Sequence, residues 1–468
     1  MTVSVLTGLV LQFLAAVIVH VAIRGDWLRR PAALMLLMAI LGHGITEVMQ
    51  WIWPGRNAYF RDYVSQAALD NWIRLVSVAI LSYAVAYVLV LRIRRRDAGT
   101  AGGKSSAHIS RLRLGWLLLL AAPLLLATFQ GRGALQPVAP GQTASRENYA
   151  LVGLAGQFLV PLLAVIGAVV LVRYGSRWML PLFVVQGALL SMAGSRSMIV
   201  TACLLSLFGA RLCGVRLSRR QVAWVVVVVA FFTVLISSTR SVAGRETFTQ
   251  GIGAERRIDG LVDGVAALPT AESREAVLND VVYRFDTNTF GTLVLESLSR
   301  HTPPVGLETT RNNLLIVVPS FLDPDKLSRT VESRSEESFL DRRFGLDQRV
   351  DWLPGIFGAM LGYFGALGLP VLALLFGAAM GVAERFALRR ASTARFLLGV
   401  GLAQCALLYS AGPQALFVTM RGVLFFVLLL WVAAALRRGY VAVRFPAGPV
   451  GTSRMKTSKE TKNVKVAP

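Results

Sequence analysis

The chain has 468 residues, of which 54% are hydrophobic and only 16% charged, with a net charge of +23 and a mean hydropathy of +0.58. A soluble protein carries about a quarter charged residues, so the composition excludes a globular enzyme in water and points to an integral membrane protein. The charge is uneven: residues 238–353 hold 14 basic and 18 acidic side chains, a net of −4, and the rest hold 35 and 8, a net of +27.

Apolar runs of about 18 residues or more mark membrane-crossing helices. Eleven are predicted, giving an all-α polytopic integral membrane protein. The first, roughly 3–23, has no positive region before it and reads as a span rather than a cleaved leader. The second, roughly 31–53, carries "LGHGITEVMQ". His43 and Glu47 share one helix face there, and ionisable groups at that depth face the bundle interior or a water-filled cavity. The pair reads either as a satisfied interhelical hydrogen bond or as a base opening to the outside. A third span, roughly 73–91, leads into a basic exit and "AGTAGGKSS" at 98–106. With no strand before it, this Gly-rich stretch reads as a polar linker rather than a phosphate loop.

Spans at roughly 114–130 and 150–172 follow. The next uncharged run then reaches "SMAGSRSMIV" at 191–200. Gly194, Ser195, Arg196 and Ser197 break that run into spans at roughly 178–195 and 197–214, and the eighth span, roughly 221–237, ends at "SSTRSVAG" with Arg240. The short loops alternate between basic and charge-poor along the chain, which places the N-terminus outside and the C-terminus inside. The cationic surplus therefore faces anionic lipid on the inner surface rather than nucleic acid.

Residues 238–353 form one large outside loop. "TAESREAVLNDVVYRFDTN" has apolar Val277, Leu278, Val281, Val282 and Phe285 at helical spacing, with Thr270 as cap and Glu272 in the first turn. Arg284 and Asp286 lie at its end, and His301 and Lys326 are further loop candidates. "NNLLIVVPSFLDPDK" is apolar enough to lie flat on the membrane, and "SRTVESRSEESFLDRRFG" reads as a charged flap. The last three spans are expected at roughly 355–383, 394–411 and 417–436. The first is long enough to be tilted or to begin with a re-entrant piece, and the last carries Arg421 about one turn inside its outer end. The resulting division is 1–237, bundle; 238–353, loop; 354–440, last spans; 441–468, disordered basic cytoplasmic tail. Cys203, Cys213 and Cys405 fall in or at the ends of spans and form neither a disulfide framework nor a metal pair.

Arg196, Arg240 and Arg421 sit at outer ends of separate spans. Arginine grips phosphate with a rigid fork and stays charged at any relevant pH. Their convergence would make a site for a polyanion at the outer membrane face. No acidic cluster beside them has the spacing for a divalent ion, so neither a metal nor any other cofactor is expected.

In this order, "GSRS", "STRSVAGRE", "YRFD", "TPPVG", "VPSFLDPDK" and "LPGIFGAMLGYFGALGLPVLALLFGAAMG" resemble the oligosaccharide repeat-unit polymerases of the Wzy type, over roughly residues 190–385. Members often carry an acidic or amide side chain where this chain has the apolar "GAMLGYFG". The resemblance implies a metal-independent glycosyltransferase in the bacterial inner membrane. It would join undecaprenyl-diphosphate-linked oligosaccharides into O-antigen or exopolysaccharide at the periplasmic face. Its partners would be the lipid-linked oligosaccharide, membrane lipids and a chain-length regulator protein. Arg196, Arg240 and Arg421, assisted by Arg284, would bind the diphosphate, and Glu47, Asp286 and His301 are the base candidates. An O-antigen ligase and a flippase of lipid-linked sugars are the rival readings.

Overall fold

The computed structural model describes residues 2–53, 63–93, 114–131, 146–242, 254–307, 311, 313–315, 336–346, 353–388 and 392–444; the side chains of 131, 146–157, 280–285, 336–338 and most of 429–444 are outside that description. Among these residues every regular element is helical. The helices are α1 (Val3–Ile23), α2 (Pro31–Ile40), α3 (Thr46–Ile52), α4 (Gln66–Arg92), α5 (Leu114–Gly131), α6 (Arg146–Tyr174), α7 (Met179–Met192), α8 (Arg196–Leu212), α9 (Arg219–Val242), α10 (Ala254–Ala267), α11 (Ala271–Phe285), α12 (Asn288–Ser299), α13 (Glu336–Phe344), α14 (Gly355–Leu388), α15 (Thr393–Leu407) and α16 (Gly412–Arg444). A π-helical turn, Leu41–Ile45, joins α2 to α3.

Six stretches are long and apolar enough to cross a membrane: Val3–Ile23, Pro31–Ile52, Gln66–Arg92, Arg219–Val242, Gly355–Leu388 and Tyr409–Leu428. The chain is a membrane protein by that measure. The sequence leads to eleven spans, and the other five stretches are also helical. Leu114–Gln130, Phe158–Tyr174 and Thr393–Leu407 are apolar but shorter, and α7 and α8 have 14 and 17 residues. The "AGTAGGKSS" linker, Lys326, nearly all of "NNLLIVVPSFLDPDK" and the tail after Arg444 lie outside the described residues. Met1–Phe425 forms one compact unit; Phe426–Pro468 is a second, helical through Arg444.

Side-chain oxygens open several helices by taking an orphan backbone N–H. Thr2 accepts from Val5 N, Ser65 from Ala68 N and Ser392 from Arg395 N. In the core of the first unit α14 lies along α4. A β-carbon at Gly377 would sit 2.4 Å from the Tyr83 carbonyl oxygen, so the two backbones approach as closely as glycine permits.

One end of this pair is fastened by Glu384, which is fully buried. It accepts from Arg30 Nη1 at 3.0 Å, from Ala32 N at 3.0 Å and from the Tyr87 hydroxyl at 2.9 Å. A carboxylate at the first turn of α2 satisfies a free N–H and complements the helix dipole.

The long apolar run from Gly355 is not one straight rod. Gly365 has φ 71° and ψ −177°, a conformation essentially restricted to glycine. The carbonyls freed at this break are taken up by the loop: Val305 N donates to Gly362 O at 3.0 Å and Gly306 N to Tyr363 O at 2.7 Å. "TPPVG" and "GYFG" therefore bond to each other. The turns from Gly355 to Phe364 thus form a short piece set off by the break at Gly365.

The loop helices pack into the bundle rather than standing apart. α12 is wedged between α4 and α14, with Gly291 against the Trp72 ring and Phe290 beside Gly358. α11 begins where predicted, with Thr270 Oγ1 accepting from Ser273 N at 3.2 Å.

Candidate functional site

Two groups of polar side chains carry the predicted site residues. The first lies where α7, α8, α9 and α10 meet. α7 stops at Met192, Gly194 turns the chain with φ 66°, and α8 starts at Arg196. Arg196 Nη1 donates to Ser237 Oγ at 2.7 Å, and Arg240 Nη2 donates to Gly194 O at 2.9 Å. A third arginine joins them from the loop: Arg257 on α10, fully buried, donates from Nη1 to Met192 O at 3.0 Å. These three bonds run to one hydroxyl and two carbonyls. The corner is tied further by Ser238, whose Oγ donates to Gly264 O at 2.8 Å and lies 2.7 Å from Ser273 Oγ.

Charges held in such a setting act on one another more strongly than they would in water. Arg257 was not singled out in the sequence, where "AERRIDG" is one charged stretch among several in the loop. The signal lay in its spacing to Gly260 and Gly264, which marks one small, packable helix face.

The second group centres on Asn288, at the start of α12. Its Oδ1 accepts from Trp72 Nε1 at 3.1 Å and lies 2.7 Å from His43 Nδ1, so that Nδ1 carries the proton. Its Nδ2 donates to His43 O at 2.9 Å and to Glu47 Oε1 at 2.7 Å. With Nδ1 protonated, His43 Nε2 accepts from the Tyr409 hydroxyl, 2.7 Å away. Thr287 Oγ1 donates to Gly42 O at 3.0 Å. The π-helical turn widens the backbone at the point where Thr287 and Asn288 dock. Such bulges are frequent at functional sites.

Asp286 bonds to the start of α12: Oδ1 accepts from Asn288 N and Thr289 N at 3.0 and 3.1 Å, and Oδ2 from Thr289 Oγ1 at 2.8 Å. It acts as the cap of α12. His43 and Glu47 do meet other elements inside the bundle, through one asparagine that sequence reasoning passed over. An asparagine in a loop carries no sequence signal of what it will bond.

The two groups sit at opposite ends of α11. Its N-terminal end touches the arginine corner through Ser273, and Phe285 leads directly into Asp286 and Asn288. At 1.5 Å per residue, Ser273 and Phe285 are separated by about 18 Å. Arg196 and Arg240 therefore lie at one end of α11, and Glu47, Asp286 and the backbone of Arg284 at the other.

His301 is in neither group. It is exposed, with φ 74°, and ends α12: His301 N donates to Leu298 O and Thr302 N to Ser297 O, each at 3.3 Å. This is the left-handed cap that commonly closes a helix. Arg421 is half-buried on α16, whose early turns lie against α15, with Val423 at Gly401 and Phe425 beside Phe158 on α6. Arg284 ends α11, and its side chain lies outside the described residues. No protein-family model, curated protein or solved structure matches the chain.

Proposed function

We propose that the chain is a polymerase of lipid-linked oligosaccharides, transferring a growing glycan from its lipid diphosphate to the sugar hydroxyl of an incoming lipid-linked unit. It would work in the bacterial inner membrane, with eleven spans, the N-terminus outside and the arginine corner at the outer face. The observation that carries this reading is the meeting of Arg196, Arg240 and Arg257 around the Met192–Ser195 turn. Breaking the bond between the sugar's anomeric carbon and the diphosphate leaves negative charge on the departing phosphate. Fixed guanidiniums stabilise that charge without reorganising during the reaction. Exposed tryptophans also fit a membrane setting: Trp178 and Trp224 near the starts of α7 and α9, and Trp51 and Trp53 at the far end of the second span, where interfacial aromatic belts lie.

The same reading changes the role of the carboxylates. A base must come within one hydrogen bond, or one water, of the hydroxyl that attacks next to the diphosphate. Glu47 and Asp286 are at the other end of α11 from the arginines. The reading therefore gives them the docking of α12 into the bundle, and leaves proton removal from the acceptor to a group nearer the corner. Arg421 remains a proposed contributor to the diphosphate site and a chain-length regulator a proposed partner, whereas Arg284 ends α11 beside Asp286 and is set aside on the same ground of distance.

The experiment is chain extension by the purified protein in vesicles given lipid-diphosphate-linked repeat units. Arg257→Ala is expected to abolish long products, and Glu47→Gln to keep them. Long products from Arg257→Ala at the wild-type rate would overturn the assignment of the corner.

A further inference from the structure

Helix α10 has three distinct sides. Stepping 100° per residue, Arg257, Gly260 and Gly264 fall together and face the protein. Arg257 is fully buried, and a β-carbon at Gly264 would lie 2.2 Å from Thr239 Oγ1. A second side carries Ile258, Val262 and Val265, which are 50%, 60% and 48% exposed, with Leu261 at its edge. The third side carries Glu255, Arg256, Asp259 and Asp263, all exposed. A helix resting on protein in water needs two kinds of side, one packed and one polar. The separate, uncovered apolar side asks for an apolar environment.

The position of α10 says what that environment is. On α9, Trp224 and Phe231 are exposed and stand seven residues apart, one above the other. The same line continues seven residues on to Ser238, which is buried and donates to Gly264 O of α10. Leu235 to Thr239 are buried all round. α10 is thus seated on the side of α9 that lower down is bare and apolar, on a helix long and apolar enough to cross a membrane.

We propose that α10 lies in the membrane–water interface, with Ile258, Leu261, Val262 and Val265 seated among lipid acyl chains and Asp259 and Asp263 facing water. Seated this way, the helix fixes the height of Arg257, and with it the arginine corner, at the bilayer surface. The inference does not depend on the polymerase reading, since it concerns lipid contact alone.

The native cysteines are buried, so an introduced surface cysteine takes a fluorophore selectively. Val262→Cys and Asp259→Cys, each carrying an environment-sensitive dye, are compared in phosphatidylcholine–phosphatidylglycerol vesicles. Spin-labelled lipid is expected to quench the dye at position 262 several-fold more than at 259, and aqueous iodide to show the reverse order. Equal iodide quenching at both positions overturns the proposal. So does a position 262 dye reached by neither quencher, which would mean that a second protein surface covers the stripe. Val265→Cys gives the same readout should Val262→Cys fail to fold.

Discussion

Arg196 and Arg240 each hold the segment that carries the other. Arg196 reaches Ser237, one turn before Arg240 on α9, at 2.7 Å, and Arg240 reaches Gly194, two residues before Arg196, at 2.9 Å. This reciprocal pair fixes the turn between α7 and α8 against the C-terminal end of α9, and Arg257 closes the same corner from α10. One helix break, the end of one long helix and α10 are thus positioned by cations as well as by apolar packing.

The Asn288 hub makes a prediction that separates architecture from chemistry. Asn288→Leu removes the partner that Trp72 Nε1, His43 Nδ1 and Glu47 share, at a cost of about 3 kcal/mol. It should lower the melting temperature in detergent and expose the loop to protease. Glu47→Gln retains an oxygen acceptor for Asn288 Nδ2 and should fold normally. Its chain-extension rate is expected within a few-fold of wild type, whereas removal of a general base costs about 100-fold or more.

Asp286 is predicted to matter as a cap. Asp286→Ala loses three hydrogen bonds at the start of α12 and is expected to destabilise by about 1–2 kcal/mol. Asp286→Ser, which still accepts from the helix N–H groups, should recover most of that loss in thermal melting and leave product length unchanged. A serine variant that melts like wild type but makes no polymer would return Asp286 to the catalytic list.

His301→Gly should stabilise the protein by about 0.5–1 kcal/mol, because glycine enters the left-handed conformation at φ 74° without a steric penalty. Thermal melting measures the shift. Wild-type polymer is expected from this variant and would remove His301 from the base candidates.

Glu384 lies far along the chain from the loop and is predicted to act on folding only. Glu384→Ala leaves the Arg30 guanidinium, the Ala32 N–H and the Tyr87 hydroxyl without their common acceptor. A loss of about 3 kcal/mol is expected from breaking such a buried pair. Glu384→Gln should recover part of it, with no change in product length at temperatures where both variants are folded.

The break at Arg196 was legible in the sequence because Gly194 and Ser195 interrupt a run that otherwise reads as one long span. The helix over Ala271–Phe285 was legible from its apolar period and the Thr270 cap. The hub at Asn288 was not, because a neutral amide in a loop carries no periodic or charge signal. The convergence of Arg196 with Arg240 was inferable as a chemical need, but Arg257 was hidden in a charged stretch. The length of α11 as a spacer was readable, yet what it separates depends on which ends dock where, and only tertiary packing decides that. The bond between Val305–Gly306 and the Gly365 break shows the same limit. Both glycine-rich pieces stand out in the sequence, and nothing local says that they pair.

The most direct test of the arginine corner is polymer length from purified Arg196→Ala in vesicles, measured beside wild type with the same lipid-diphosphate-linked repeat units. Loss of a fixed donor to a developing oxyanion costs about 100–1,000-fold in rate, so the account predicts single units and no ladder from a variant that still melts as a folded membrane protein. A ladder of wild-type length and rate from Arg196→Ala would contradict it.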